Sequence, residues 1–523
     1  MSEREIPVLI AGGSLVGLST ALFLGSYGVE SLVVERHQGT AIHPRAAHFS
    51  QRTIELLRSV GLEDEVVTAS EREFVQNGAI VSVESLGGKE LEYYFRHINE
   101  GVEGLSPSPR LFVTQIGLEP LLQRRAEDLG ARLEWGTELV SFETDGDGIA
   151  ATIRRRADGA EETVRARYLV AADGARSPVR ERLGIPLRGR GTFSNSITIY
   201  FRADVNELIG DRSLSVIYVF HPNQQGFFRF SRAGDAGFLV VNATLDANGT
   251  RNRDLWPADD GQCVEFVREA LGAPELPVEI ENVQRWNASA EWAERFREGP
   301  VFLAGDAVHA MPPTGGFGGN TGIQDAHNLA WKLAFVLDGA AGDALLDTYD
   351  AERRPVGEFT VEQAYTRYVV RLDPELDSKE NLLPYVPEHV VELGYRYRSS
   401  AVVPEPGDWA VYEEPKEPSA SPGTRAPHLA LEDGRSTLDL FGRRFVVLVG
   451  PEGEGWRAAA EQASLDAHTV GAAGFGELYG VGAEGATLIR PDGFVAWRTQ
   501  DAAGEAAAGS LEELLGRVLD RPK

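Results

Sequence analysis

The stretch VLIAGGSLVGLSTALFLGSYGVESLVVERH, from Val8 to His37, decides the fold. Val8–Ala11 reads as a buried strand. Leu15 to about Tyr27 reads as a helix whose small residues, Gly17, Ser19 and Ala21, permit close packing on a sheet. Ser31–Glu35 reads as a second strand ending in an acid. This is an opening βαβ unit. The dinucleotide fingerprint places glycines in the pattern G-x-G-x-x-G. Here Gly12 and Gly17 hold the outer places and Ser14 the middle one. A helix start presents free N–H groups and a positive dipole end to a pyrophosphate. Glu35, at the end of the second strand, is placed to accept hydrogen bonds from a ribose. It also disfavours a 2′-phosphate. With Ser14 in the middle, these residues alone leave a plain glycine turn open as the alternative.

Two more strand-to-loop junctions lie far down the chain. In YLVAADGARSPVRERLGI, Asp173-Gly174 follows a strand, and Ser177-Pro178 forms an N-cap and N1 pair. By itself that stretch reads first as a structural strand-to-helix connection. In VFLAGDAVHAMPPTGGFGGN, Gly305 and Asp306 end a strand, where the carboxylate is placed to bind a polyol. The loop PPTGGFGGN packs four glycines and two prolines into nine residues before a helix. Ile323, Ala326, Ala330, Leu333 and Leu337 form an apolar face of that helix. Backbone N–H groups at such a helix start suit a flavin ring whose N1–C2=O edge becomes negative on reduction.

The remainder sorts into regions. Helical patterning recurs at SQRTIELLRSVGL and after Gln115, and a small meander precedes RYLVAAD. Residues 186–288 carry short strands rich in aromatic and β-branched residues. Residues 342–400 are helical. Residues 402–430 are proline-rich and acidic, a linker or extended arm. A compact α/β segment follows from 431. The expected domains are 1–185 and 289–401 for the nucleotide fold, 186–288 for an antiparallel sheet, and 431–523 for the final unit. The 523 residues carry a net charge of −28 with no basic tract, which argues against nucleic-acid binding. No apolar run approaches the length of a membrane span. The N-terminus leads straight into a strand with no signal-peptide pattern, and Cys263 is the single cysteine. These features predict a cytoplasmic protein.

The three motifs, in this order and at these separations, resemble the group A flavoprotein aromatic hydroxylases, and most of all those acting on aromatic polyketides of the anthracycline and tetracenomycin type. The likeness extends to GYRYRSSAV and RPDGFVAWR near the end. It implies an α/β, Rossmann-like FAD-binding domain of the p-hydroxybenzoate hydroxylase kind. It further implies an inserted antiparallel substrate sheet and a C-terminal thioredoxin-like domain. That last domain lacks the cysteine pair that redox work requires, so a structural or dimer-supporting role is expected.

By motif, Gly12, Gly13, Ser14 and Gly17 would hold the FAD pyrophosphate, Glu35 the ribose, and Arg36 would lie by the adenine. Arg45, in HPRAAHFSQRTIELLRSVGL, resembles an arginine beside the phosphates and the nicotinamide route. Gln115 matches a cofactor contact. Asp173 matches an aspartate tied to both FAD and NAD(P)H. Gly305 and Asp306 would meet the ribityl chain, and Pro313, Gly316, Gly318, Gly319 and Asn320 would border the isoalloxazine. The departures are Ser14, whose hydroxyl is itself able to donate to a phosphate oxygen, and the loop around Phe317.

The implied reaction is hydroxylation of a polycyclic phenol by O2 through a flavin C4a-hydroperoxide, with NAD(P)H as transient reductant. No His/Asp/Ser constellation or metal-spaced cluster appears. His309 reads as a base near the flavin or as a loop histidine holding its turn. Tyr218, Phe220, Phe228 and Phe230 alternate along two neighbouring strands and form either a substrate wall or core. Arg371 either balances a phenolate or is solvated. Monomer and homo-oligomer are both compatible. Two other readings use the same scaffold: a Baeyer–Villiger or antibiotic-inactivating monooxygenase, and a non-catalytic flavoprotein that binds an aromatic compound.

Overall fold

In the computed structural model, residues 4–43, 46–146, 148–242, 258–407 and 410–521 are described. The opening unit forms as its pattern requires: β1 (Arg4–Ala11), α1 (Leu15–Ser26) and β2 (Ser31–Glu35). β1 is buried on both faces from Val8 to Ala11, hence its unbroken apolar run. It pairs in parallel with β2 and with Glu161–Ala171. The sheet runs Arg297–Glu298, Val301–Leu303, Glu161–Ala171, β1, β2, Arg132–Trp135. The hairpin Thr137–Asp145/Gly148–Arg155 attaches through Glu161–Ala171. The parallel order brings the C-terminal ends of β1, β2, Glu161–Ala171 and Val301–Leu303 to one edge. Every nucleotide motif sits at that edge.

The second sheet has eight strands, in the order His309–Ala310, Glu279–Ala293, Leu187–Arg202, Ala236–Asn242, Gln224–Phe230, Leu214–His221, Ala79–Val83, Glu90–Phe95. It departs from the expected 186–288 unit, and runs past it to Ala293 and His309–Ala310. It draws Ala79–Val83 and Glu90–Phe95 from the N-terminal region. It also contains one parallel pair, Leu214–His221 with Ala79–Val83. Short strands there satisfy the edge of Leu214–His221, a pairing that no local pattern announces.

One face of this sheet packs on the helix Asp260–Leu271, with Ile217, Phe228, Phe230, Cys263 and Val267 in the core between them. The other face meets the long helix Ala344–Arg371 through Tyr218, Phe193, Tyr365 and Tyr368.

The C-terminal unit places Asp466–Thr469, Val446–Val449, Ala486–Ile489 and Val495–Thr499 in one mixed sheet. Its chain order is βαβ, then the short helix Phe475–Tyr479, then ββα. Residues 410–430, within the expected linker, are a docked arm. Ala420, Thr424 and Ala426 are buried, and Arg425 forms a buried ion pair with Glu55. Proline-rich composition says nothing of where a chain will be tied down. Among the described residues, no helix is long and apolar enough to cross a membrane.

Candidate active site

The first turn is built by close approach. Gly12 adopts φ +104°, and a Cβ there would stand 2.3 Å from the Ala172 carbonyl oxygen. The turn therefore lies directly against the strand end that carries Asp173. Ser14 is the N-cap of α1 with no side-chain capping bond. The first-turn N–H groups of α1 thus lack intrahelical acceptors and side-chain caps. The Ser14 hydroxyl is not directed to a phosphate, as its chemistry would allow. It donates to Glu119 Oε1 at 2.6 Å and accepts from Gln115 Nε2 at 2.7 Å. Glu119 is fully buried and also accepts from Gln115 and from the Ala41 N–H. Serine in the middle place ties the turn to the helix Gln115–Asp128.

Ser14→Gly is therefore expected to keep flavin while costing about 1–3 kcal/mol, because the buried Glu119 loses a donor. Ser14→Leu is expected to purify without flavin, since its bulk fills the approach to the helix start. Visible flavin absorbance per protein decides this; normal flavin in Ser14→Leu would misplace the turn.

Glu35 accepts from Gly13 N at 2.7 Å through Oε2 and from His37 N at 2.8 Å through Oε1. Each oxygen retains a lone pair for a ribose hydroxyl. Arg36 is exposed beside it. Asp173 Oδ2 accepts from Val179 N at 3.2 Å, while Oδ1 is buried without a hydrogen-bond partner. Burial raises its pKa. An orphaned carboxylate oxygen beside the Gly12 turn suits a ligand hydroxyl or amide. Arg45 lies outside the described residues.

The third motif meets the first two at the same edge. A Cβ at Gly322 would lie 2.5 Å from Val16, and one at Gly305 would lie 2.7 Å from it. α1, the Asp306 turn and the glycine-loop helix Phe317–Leu337 therefore converge. Asp306 is exposed in an otherwise buried segment. The glycine-loop helix begins at Gly316 with no side-chain cap, and Pro313 is exposed ahead of it. Gly318 and Gly319 are half-buried in its first turn. Asn320 differs from expectation. Its Oδ1 accepts from Ser50 N and Thr53 Oγ1, and its Nδ2 donates to the His48 and Gly316 carbonyls. That side chain is a clamp, leaving only its backbone for a cofactor.

His309 is buried on a carboxylate, as a histidine holding its turn would be. Its Nε2 lies 2.7 Å from Asp325 Oδ2, both fully buried. Asp325 also receives Arg353 Nε and the Gly305 N–H. This trio braces the Asp306 turn from behind. The two uncapped helix starts, the orphaned Asp173 oxygen and the exposed Asp306 at one edge fit an extended dinucleotide with a polyol between its ends.

The substrate wall is divided by strand register. Tyr218 pairs with Phe227, and Phe228 pairs with Ile217. Tyr218 and Phe220 face the long helix together with Phe227. Phe228 and Phe230 face the opposite way, stacked on each other in the core under Asp260–Leu271. Alternation within each strand was legible, but the register between strands was not, so these two are core and not wall.

Arg371 is not solvated. It bonds the Tyr385 hydroxyl and Glu388. Arg367 reaches the same carboxylate and lies 5.0 Å from the centre of the Phe317 ring. Burial alone would raise Glu388, but Arg367 and Arg371 hold it at about 2.

Other residues of this region went unnoticed in the sequence. His48 packs against Gly316, and burial, Arg110 and Arg229 push its pKa down to about 3. Arg110 pairs with Glu392 at 2.8 Å, both buried. Arg229 alternates with Phe228 and Phe230, so it shares the face of Phe227. A charge inside that aromatic alternation was the available signal.

Residues 5–364 match the family model described as FAD binding domain, and residues 419–522 match that of the aromatic-ring hydroxylase C-terminal region. The chain is 52% identical to a 4-methyl-5-nitrocatechol 5-monooxygenase of a Burkholderia species, over 99% of this chain and 98% of that protein. It is 41% identical to aklavinone 12-hydroxylase of Streptomyces purpurascens, covering both completely. The crystal structure of aklavinone-11 hydroxylase in ternary complex with FAD and aklavinone matches with a TM-score of 0.92 at 41% identity, again covering both chains completely.

Proposed function

The chain belongs to the FAD-binding aromatic-ring hydroxylases, and from that premise we propose that it hydroxylates an ionised phenolic ring, using NAD(P)H and dioxygen. It is an FAD-dependent aromatic monooxygenase. Bound FAD supplies electron transfer from NAD(P)H and turns dioxygen into an electrophilic oxygen donor. The Gly12 turn and the start of α1 bind the pyrophosphate, Glu35 the ribose, and Asp306 the polyol. Asp173 serves cofactor and reductant. The uncapped start of the glycine-loop helix favours negative charge at the ring edge.

The observation that carries the substrate reading is the guanidinium pair Arg367 and Arg371 beside this loop, with Tyr218 close to Arg371. Positive charge there lowers the cost of ionising a phenol without a general base, and an ionised phenol is the better nucleophile. Tyr94, Phe220, Phe227 and Trp286 surround Tyr218 and keep water from the reacting carbon. The C-terminal unit is read as a thioredoxin-like support without redox cysteines.

The relatives named after aklavinone favour a polycyclic, polyketide-like phenol. A second reading, a one-ring nitrocatechol, is favoured by the 52% identity to the Burkholderia enzyme. One panel separates them. NAD(P)H oxidation and incorporation of labelled dioxygen are measured with hydroxyanthraquinones and with nitrocatechols. Oxygen delivered to a nitro-bearing carbon releases nitrite, which a colour assay counts. Product mass and position separate hydroxylation from ring insertion. Ligand binding without any stimulation of NAD(P)H oxidation across both classes would sink the proposal.

A further inference from the structure

Arg229 sits in Gln224–Phe230, next to the segment that carries His48. It is 6% exposed. One of its nitrogens, Nη1, donates to the Ala47 carbonyl. Nε and Nη2 have no acceptor among the described residues, and no carboxylate there comes within ion-pair distance. The guanidinium carbon lies 4.0 Å from the centre of the Phe112 ring and 5.0 Å from that of Phe74. Ring faces orient the cation but do not replace a charged acceptor.

The neighbours do not neutralise it. Glu73 attracts it without forming an ion pair, and Glu73 Oε2 accepts from Thr114 N at 2.7 Å. Arg110, Arg367 and Arg371 share Glu392 and Glu388. Around His48 and Tyr218, three of the four arginines thus hold ion pairs with Glu392 and Glu388, and Arg229 has only the longer-range attraction of Glu73. A buried, unpaired guanidinium is costly, and burial pushes its pKa down to about 9, still charged near neutrality. An isolated charge of this kind is tolerated where a ligand completes it. Its planar fork matches two oxygens side by side.

We propose that Arg229 is the receptor for an anionic oxygen group on the aromatic ring, a catecholate or a nitro group conjugated to one, and that it selects ionised over neutral substrates. This rests on the monooxygenase reading and deepens it. Arg371 also interacts with Tyr218, but it shares Glu388 with Arg367, so the two guanidinium groups have different tasks. Arg229 holds the charge of the incoming ring, and the Arg367–Arg371 pair favours ionisation of its phenol.

The test uses the FAD-loaded protein with 4-nitrocatechol, ionised near neutral pH, and catechol, which is neutral there. Binding is followed by flavin fluorescence and by the visible band of the nitrocatecholate. The wild type is expected to prefer nitrocatecholate by about tenfold or more. Arg229→Met should erase that preference while leaving catechol affinity within about twofold and flavin content unchanged. Arg229→Lys should recover part of it, since the charge is kept and the fork lost. Equal loss of both ligands in Arg229→Met overturns the proposal, because it marks a purely structural arginine. An unaltered preference in that variant, or a wild type that binds both alike or neither, also overturns it. The monooxygenase reading is judged separately, by ligand-stimulated NAD(P)H oxidation in the wild type.

Discussion

Gly17→Ala yields protein without flavin. A Cβ at Gly17 would stand 1.8 Å from the Gly12 carbonyl oxygen and 3.4 Å from Ile10. Neither neighbour is a flexible side chain that swings aside. The oxygen belongs to the turn itself, and Ile10 is buried in β1. Relief requires α1 to move away from the turn by more than an ångström. That motion displaces the helix start from the site proposed for the pyrophosphate, and pulls Leu15 and Val16 from Gly319 and Gly322 of the glycine-loop helix. Overpacking of this kind costs about 1–3 kcal/mol in stability. The loss of cofactor is the larger effect, because the two helix starts must share one ligand. Gly39→Ala, where a Cβ meets nothing within 4 Å, is the control and should retain flavin. The measurement is flavin absorbance per protein together with the thermal transition. Full flavin in Gly17→Ala would show that α1 does not carry the pyrophosphate.

The nucleotide edge was legible because its devices are local. A strand, a tight turn and a helix start occupy adjacent residues, so Gly12, Glu35 and Asp306 stood out as candidates from their own neighbourhoods, whereas Asp173 was assigned only through the family resemblance. The substrate side was not, because it depends on register and long-range pairing. Phe228 and Phe230 look like Tyr218 and Phe220 in isolation, and only the pairing of Tyr218 with Phe227 sends them to opposite faces. The recruitment of Ala79–Val83 to the second sheet leaves no mark in its own residues. Ser14 shows the same limit on a smaller scale. Its place in the fingerprint was plain, but its partners, Gln115 and Glu119, lie a hundred residues away in sequence and beside it in space. Buried ion pairs were the least visible, since Lys, Arg and Glu in helices read as solvated until the fold covers them.

Glu352→Ala undocks the C-terminal unit. Glu352 Oε1 accepts from Arg490 Nη1 at 2.6 Å and Ser399 Oγ at 2.6 Å. Its Oε2 accepts from Lys332 Nζ at 2.7 Å, Asn328 Nδ2 at 2.8 Å and Arg490 Nη2 at 2.9 Å. Lys332 lies on the glycine-loop helix, Glu352 on the long helix and Arg490 in the C-terminal unit, all with fully buried side chains. Without Glu352, two buried cations share Asp492, at an expected cost of about 3–5 kcal/mol. Substitution of Lys332 by leucine in the same chain should recover part of that loss, because one stranded charge is removed. Burial alone would raise the Glu352 carboxyl, but Arg490 and Lys332 hold it far below its ordinary value of 4.5. A depressed folded pKa gives stability that is complete above the unfolded value and lost as pH falls below it. The wild type should therefore undock only in acid, and Glu352→Ala already at neutral pH. Limited proteolysis reads this as new cleavage within residues 402–430, with an early thermal transition. Unchanged cleavage and a single unshifted transition would mean that the apolar contacts of Trp331 and Leu345 with Phe445 and its neighbours hold the unit by themselves.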